Sequence, residues 1–355
     1  MDTDHPERDD AREEQTVNQD AEHDTPQDAP RQDDAGHDDA GHDAPQDDAG
    51  QDAAESREAT GRPAERRETF DSAGPAELDL TIGAGRVSVA LAEGTEVTVS
   101  VRADASAGRG WTQSLSDLIG WLSEATGADL AGADLAQKAV DGVEITWSEI
   151  GRRLVVRPPT ELPLKSVPLI LVVTAPTGSR VDVNSGSAAV TVTGSAGNVG
   201  VRTGSGEVDV EAVDGDVEVS TGSGGVSIGP VTGRSRLRAG SGRISVDSVG
   251  GPSEVKAGSA EVRLGAVHAD LSARTGSGDL TVADAHGGRL DLNSGSGGLR
   301  VGVHAGVGVE LDLSSGTGRA HSELPVASAP PDKRPTLVIR GRSGTGDVLV
   351  SPAAR

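Results

Sequence analysis

The chain has 355 residues, 56 acidic and 32 basic side chains, a net charge of −24 and no cysteine. Without cysteine, neither a disulfide framework nor a thiolate metal site can form. Nucleic-acid phosphates and anionic lipids attract clustered Lys and Arg, so the acidic balance argues against both as partners.

The first segment, residues 1–68, carries 23 Asp and Glu against 7 Lys and Arg and almost no large apolar side chain. Such a segment cannot bury enough apolar surface to offset the entropy lost on ordering, which predicts a disordered acidic tail. Its start lacks the basic and apolar stretches of a signal peptide, and no apolar run reaches the length of a transmembrane helix. We therefore expect a cytoplasmic protein without a transmembrane segment, with association with the cell envelope left open.

Residues 69–179 are predicted to form an N-terminal β region. Apolar and polar residues alternate there in short runs broken by glycine or proline, which is typical of half-buried strands. The runs are Glu77–Ile82, Arg86–Leu91, Glu96–Val101, Val143–Trp147 and Arg153–Arg157. The apolar stretch Val167–Thr174 does not alternate, which predicts a strand buried on both faces.

One helical insertion, residues 111–140, is expected to interrupt these strands. Its apolar residues recur at helical spacing, which places them on one face. They are Trp111, Leu115, Leu118, Ile119 and Leu122. Such a face either caps the β body or binds a partner or a membrane surface. Membrane-surface helices usually carry Lys and Arg on their polar face, whereas this one carries Gln113, Asp117 and Glu124, so we favour a cap.

From residue 180 onward, one short glycine turn returns at a nearly constant interval. The first glycine of successive turns is Gly186, Gly204, Gly222, Gly240, Gly258, Gly276, Gly295 and Gly316. The interval is 18 residues five times and then 19 and 21, and a further turn follows at Gly344. A fixed period of this kind indicates a repeat architecture.

Each 18-residue unit, such as Thr203–Ser220, contains two short alternating strands and two turns. One unit buries too few aliphatic side chains to offset the entropy of ordering it, so the units must stack. The prediction is an all-β fold, a parallel β-solenoid (β-helix-like) of 18-residue coils over residues 180–355. An antiparallel meander is the alternative, because strands nine residues apart also suit hairpins.

Two further structural features are expected in the repeats. The Ser or Thr after each first glycine predicts a hydroxyl ladder along one edge of the coils. Its members are Ser187, Ser205, Ser223, Ser241, Ser259, Ser277, Ser296, Thr317 and Thr345. A proline-rich irregular loop is predicted over residues 323–335, and Thr336–Arg340 and Asp347–Val350 then form a final coil.

Candidate chemistry is sparse. His268, His286 and His304 recur at 18-residue spacing, so they are candidate metal ligands, although we favour exposed turn histidines without a metal. Calcium is not expected, because the calcium-binding β-roll motif has Asp where this repeat has Val208. A phosphate site needs a helix after the glycine turn, and none is predicted. We therefore predict no enzyme, no catalytic residue and no cofactor.

The turn motif, [ST]-G-S-G followed by alternating Val, Leu and Ile, suggests a family. Together with the strands Leu78–Leu80, Gly85–Val89 and Val97–Val101, it resembles the bacterial β-strand-repeat proteins filed as "putative adhesins", domain of unknown function 4097. The resemblance covers about residues 70–351, and the glycine-rich, aromatic-poor composition is similar to actinobacterial sequences. The resemblance implies a β-repeat fold, and relatives in this family are associated with cell-envelope stress loci.

Three functional hypotheses follow. The first is a non-catalytic, adhesin-like scaffold whose flat faces bind a protein or cell-envelope partner. The second is a self-assembling structural element of the bactofilin type, in which coil ends stack. The third is a carbohydrate-binding solenoid, which usually offers aromatic platforms, whereas Phe70, Trp111, Trp121 and Trp147 all precede the repeats. We favour the scaffold and predict no oligomeric state.

Overall fold

The computed structural model describes residues 65–104, 132–325 and 335–354, all within one compact unit, Thr60–Arg355. These residues form two long sheets of 13 and 12 strands, sheet A and sheet B, and one α-helix, α1 (Gly132–Asp141). In spatial order, sheet A consists of β1 (Glu65–Asp71), β4 (Glu96–Ala103), β7 (Leu169–Pro176), β3 (Gly85–Ala92), β9 (Ala189–Ala196), β11 (Val208–Val213), β13 (Val226–Val231), β15 (Arg243–Val249), β17 (Glu261–Val267), β19 (Leu280–Ala285), β21 (Leu299–Val303), β25 (Val348–Pro352) and β23 (Ala320–Ser322). In spatial order, sheet B consists of β22 (Val309–Ser315), β24 (Leu337–Ser343), β20 (Gly288–Ser294), β18 (Leu271–Thr275), β16 (Ser253–Ala257), β14 (Ser235–Ala239), β12 (Val217–Thr221), β10 (Asn198–Thr203), β8 (Arg180–Ser185), β2 (Glu77–Ile82), β6 (Arg153–Arg157) and β5 (Glu144–Ser148).

Neighbouring strands of the repeats run parallel and pair residues one coil apart. Val208 pairs with Val226 in sheet A, and Val217 pairs with Ser235 in sheet B, so each pair joins equivalent positions of successive coils. The chain alternates between the sheets, and each coil therefore contributes one strand to each. The predicted parallel β-solenoid is confirmed, and the antiparallel meander is excluded for the repeats.

The core lies between the two sheets and consists of stacked aliphatic columns. Successive side chains of a strand point to opposite faces, so every second residue points inward. One column of sheet A, with every member at most 4 % exposed, is Val210, Ile228, Val246, Leu264, Val282 and Val301. A second column, where these strands end, is equally buried and comprises Val213, Val231, Val249 and Val267. The core accordingly continues through every coil.

The N-terminal end of the stack departs from the parallel arrangement. Both β1 and β7 pair antiparallel with β4, and β5 pairs antiparallel with β6. Helix α1 contacts β4 and β1 and buries Leu135, Ala139 and Val140. The helix therefore covers part of the β body, as a cap would. Among the described residues, no helix is long and apolar enough to cross a membrane.

Several expectations are revised in this region. Glu65–Glu68, which the sequence analysis assigned to the tail, form the first half of β1. The strand predicted to be buried on both faces, β7, exposes Val172 and Thr174 on its outer face, although Ile170 in its first part is buried. The N-terminal β region is also not separate from the repeats, since β2 pairs with β8 and β3 with β9 around one shared core.

Other predictions lie outside the described residues. The tail up to residue 64, the apolar face of the predicted insertion at residues 111–131, and residues 326–334 of the proline-rich loop belong to this group.

The last coil in the sequence is not the last coil in the stack. Strand β24 lies between β20 and β22, and β25 lies between β21 and β23. The coil of β22 and β23 is therefore the outer one, and its Leu311 and Leu313 are only half-buried. Leu337 and Ile339 in the inserted coil are fully buried.

Candidate functional site

Each Thr-Gly-Ser-Gly turn is closed by its first residue. The Thr221 hydroxyl accepts a hydrogen bond of 3.0 Å from the backbone N–H of Gly224. The same bond recurs at Thr203, Thr275, Ser294, Ser315 and Ser343. It pairs a backbone donor inside the turn that would otherwise lack a partner. This role was not predicted from the sequence, although Thr or Ser recurs at the first position of the turn.

The first glycine of each turn lies directly against the backbone of the preceding coil. Gly222 donates its N–H to the Gly204 carbonyl at 3.0 Å, and a Cβ at Gly222 would lie 2.5 Å from that oxygen. The same close approach occurs at Gly186, Gly204, Gly240, Gly258, Gly276 and Gly295. These glycines are required because the coils leave no room for a side chain.

The serines after these glycines form a row of exposed side chains rather than a continuous ladder. Among them, one pair is joined, with the Ser277 and Ser259 hydroxyls 3.3 Å apart. Ser205, Ser223, Ser241 and Ser296 are exposed and make no hydroxyl–hydroxyl bond in the described part of the chain. The row is polar and accessible, and its chemistry is that of ordinary surface hydroxyls.

The three histidines singled out by spacing stack at one rim of the coils. The ring centroids of His268 and His286 are 4.2 Å apart, and those of His286 and His304 are 3.9 Å apart. Asp284, which the sequence analysis did not single out, contacts two of the three rings. Its position two residues before His286 was the available signal. Asp284, His286 and His304 are the described residues that could share a metal ion.

The outer face of sheet B carries a row of positive side chains, here called the cation column. Strand register aligns seven positions, one in each successive coil. They are Arg202, Ser220, Arg238, Lys256, Arg274, Asn293 and Arg342. Five of the seven are cationic and exposed, and none is acidic. This row was not predicted from the sequence, although Arg238, Lys256 and Arg274 recur at the repeat period.

Two members of the cation column are free to meet a partner. Lys256 contacts Glu254 in the same strand, and the hydrogen bond from Lys256 holds the pKa of Glu254 below its usual value. Arg238 and Arg274 form no ion pair with any described residue. Adjacent strands are about 4.8 Å apart, so three cations lie within about 10 Å. A shallow groove of about 460 Å³ beside Arg202 extends this polar surface.

Sheet A does not repeat this arrangement. Its corresponding outer column is Asp209, Ser227, Ser245, Arg263, Thr281 and Arg300. Arg263 there is engaged by Glu261 at 2.7 Å, and this hydrogen bond lowers the pKa of Glu261. The two columns therefore differ in charge, and the column on sheet B is the more cationic one.

Aromatic residues lie away from both clusters. Phe70 and Trp147 stack with ring centroids 5.5 Å apart at the N-terminal end. Trp111 and its predicted helical face, with Leu115, Leu118, Ile119 and Leu122, lie outside the described residues. The described faces of the repeats carry no aromatic platform for a sugar.

A family model described as Toastrack DUF4097 matches residues 171–334, and no curated protein matches the chain. Three solved structures are similar at 10–11 % identity. A "putative adhesin" from Bacteroides fragilis has a TM-score of 0.36, covering 81 % of this chain and 96 % of that chain at 10 % identity. A "putative adhesin" from Parabacteroides distasonis has a TM-score of 0.35, covering 81 % and 98 % at 11 % identity. A "putative cell adhesion protein" from Clostridium sporogenes has a TM-score of 0.20, covering 82 % and 100 % at 10 % identity.

These TM-scores are too low for the structural likenesses to carry an argument about function. The family match runs from within β7 through the repeat coils and most of the proline-rich loop, and these coils carry the turn motif that suggested this family. The repeats of this chain, residues 171–334, thus match the model of the Toastrack family, DUF4097.

Proposed function

We propose that this protein is a non-catalytic β-repeat scaffold that binds an extended acidic partner, a protein segment or an anionic cell-envelope polymer, along the cation column of sheet B. The observation that carries the proposal is the column itself, in which five of seven aligned positions are exposed cations and none is an acid. Carboxylate or phosphate groups spaced along a chain are the ligands that such a row recognises.

The spacing of the column favours a partner with many charges. At physiological ionic strength the screening length is about 8 Å, so cations about 4.8 Å apart act together on a bound anion. A strand array is also rigid, so little backbone entropy is lost on binding. Once an extended partner has made its first contact, its further contacts are intramolecular and cost less entropy.

The overall acidity of the chain is consistent with a local cationic surface. The net charge of −24 repels polyanions at low salt but is largely screened beyond about 8 Å at physiological salt. Arg238 and Arg274 form no salt bridge with the described residues, so none of theirs is broken on binding. Binding should therefore be local to sheet B.

The test is binding of a fluorescein-labelled peptide of about ten glutamates, which spans the column at about 3.3 Å per residue. Anisotropy is measured with the full chain at physiological salt. We expect the triple variant Arg238→Ser, Lys256→Ser and Arg274→Ser to bind about tenfold more weakly, since each exposed contact contributes about 0.2–1 kcal/mol and about 1.4 kcal/mol is a factor of ten.

The matched control removes three exposed cations from sheet A, through Arg243→Ser, Arg263→Ser and Arg300→Ser. This variant changes the net charge equally and should bind the peptide like the parent chain. Equal losses in both variants would show that only net charge matters, and absence of binding by the parent chain would refute the proposal.

A further inference from the structure

The carboxylate of Asp284 faces two imidazoles at one rim of the solenoid. Its Oδ2 lies 3.0 Å from Nε2 of His286 and 3.0 Å from Nδ1 of His304. The three ligand atoms all lie within 4.8 Å of one another. All three side chains are partly exposed, at 31 %, 27 % and 45 %, so an ion can reach them from solvent.

A change of register between β19 and β21 lies beside this cluster. Val282 pairs with Val301, and Ala285 pairs with Val303. Both Ala283 and Asp284 lie between the paired positions of β19, whereas Gly302 alone lies between those of β21. Strand β19 therefore contains a β-bulge, and bulges redirect side chains. At Gly302, opposite the bulge, an added Cβ would lie 2.1 Å from the Ala283 carbonyl oxygen.

The backbone holds both histidines in register with the coils. The N–H of His286 donates to the Val267 carbonyl at 2.9 Å, and the N–H of His304 donates to the Ala285 carbonyl at 3.0 Å. Ring stacking on His286, at 4.2 Å and 3.9 Å, restricts the imidazoles further. The backbones of the two histidines are thus positioned by the fold before any ion arrives, which lowers the entropy lost on binding.

The geometry points to a binding site for a divalent transition-metal ion, such as Zn²⁺, formed by Asp284, His286 and His304. Two imidazoles and one carboxylate suit zinc and its neighbours rather than calcium or magnesium, which prefer oxygen ligands. Zinc bonds of about 2.0–2.2 Å place tetrahedral ligands about 3.3 Å apart. The stacked rings of His286 and His304 must therefore tilt relative to each other, so that their in-plane lone pairs meet at one ion. Three protein ligands leave a coordination position open to solvent.

His268 is not a ligand in this assignment. Its ring lies on the opposite face of His286 from His304, in the order set by the two stacking contacts. It completes the stack and offers a matched control, since it shares residue type, rim and exposure to solvent with the ligands. His321, an exposed histidine of β23, is a second control outside the stack.

The experiment measures the thermal midpoint of the full chain with and without Zn²⁺, and with Ca²⁺ for comparison. The readout is the unfolding of the β-solenoid, because the chain also has histidines at positions 5, 23, 37 and 42 that can bind zinc without stabilising these coils. At one hundred times the dissociation constant, Zn²⁺ should raise the midpoint on the order of 5 °C, and Ca²⁺ should not.

Asp284→Asn, which keeps the shape of the side chain, and His304→Gln should each abolish most of this rise. His268→Gln and His321→Gln should retain it. The midpoint of each variant without metal shows whether it folds. A chain that gains no stability from Zn²⁺ refutes the site, as does a rise that persists unchanged in both Asp284→Asn and His304→Gln.

Discussion

Gly224 and Gly225 follow one another in the same turn but have different surroundings. A Cβ at Gly224 would lie 1.8 Å from the Gly206 carbonyl oxygen, whereas one at Gly225 would find its nearest neighbours at 4.0 Å. Neither glycine has a positive φ. The turn therefore requires glycine at one position because of the neighbouring coil and only tolerates it at the other.

We expect Gly224→Ala to destabilise the protein by about 2–3 kcal/mol or more, because overpacking against rigid backbone has this magnitude. Gly225→Ala should be neutral or stabilising by a few tenths of a kcal/mol, since alanine restricts the unfolded chain. Thermal midpoints of the two variants, measured side by side, check this. Equal midpoints would contradict the close coil contact at Gly224.

At the scale of elements, the inserted coil predicts that two leucine-sized side chains contribute unequally to stability. Leu290, Ile339 and Leu311 form one column through β20, β24 and β22. Ile339 is fully buried between the other two, while Leu311 in the outer coil is half-buried. Their burial follows from the order of coils and not from the order of the sequence.

Ile339→Ala should therefore cost about 2–5 kcal/mol, as expected for a buried aliphatic side chain, and Leu311→Ala should cost clearly less. Urea titration of both variants against the parent chain provides the comparison. If β22 and β23 were the inner coil and the chain ended at the outer one, the ranking would be reversed.

The sequence predicts the coil but not its place in the stack. Inward positions such as Val210 and Val246 are predictable because side chains alternate along each strand and equivalent positions recur in every coil. Leu311 and Ile339 show the same alternation, so periodicity alone cannot order their coils. The longer gap before the final turn, from Gly316 to Gly344, allows the chain to return and insert its last coil.

The two clusters differ in how far the sequence predicts them. The histidine stack was expected because identical residues recur at the repeat period. Asp284 was not, since it does not recur at the repeat period and its approach to His304 is revealed only by the pairing of β19 and β21. The cation column is intermediate in predictability. Lys256 and its neighbours recur at the repeat period, but the sequence contains many other charged residues, so the row was not recognised.

For the whole molecule, both proposed sites depend on one property, the parallel register of equal coils. The cation column is a row only if Arg238 and Arg274 flank Lys256 in adjacent strands. Asp284 reaches His304 only if β19 and β21 are neighbours. A test of register therefore tests the basis of both proposals at once.

Disulfide formation measures this register directly, because the chain has no cysteine of its own. The Ser259 and Ser277 hydroxyls are 3.3 Å apart, so the double variant Ser259→Cys and Ser277→Cys should close a disulfide under mild oxidation. Ser241→Cys with Ser277→Cys, two coils or about 9.6 Å apart, should remain reduced. In an antiparallel meander, Ser259 and Ser277 would themselves be separated by two strands, so failure of the first pair to oxidise would contradict the account.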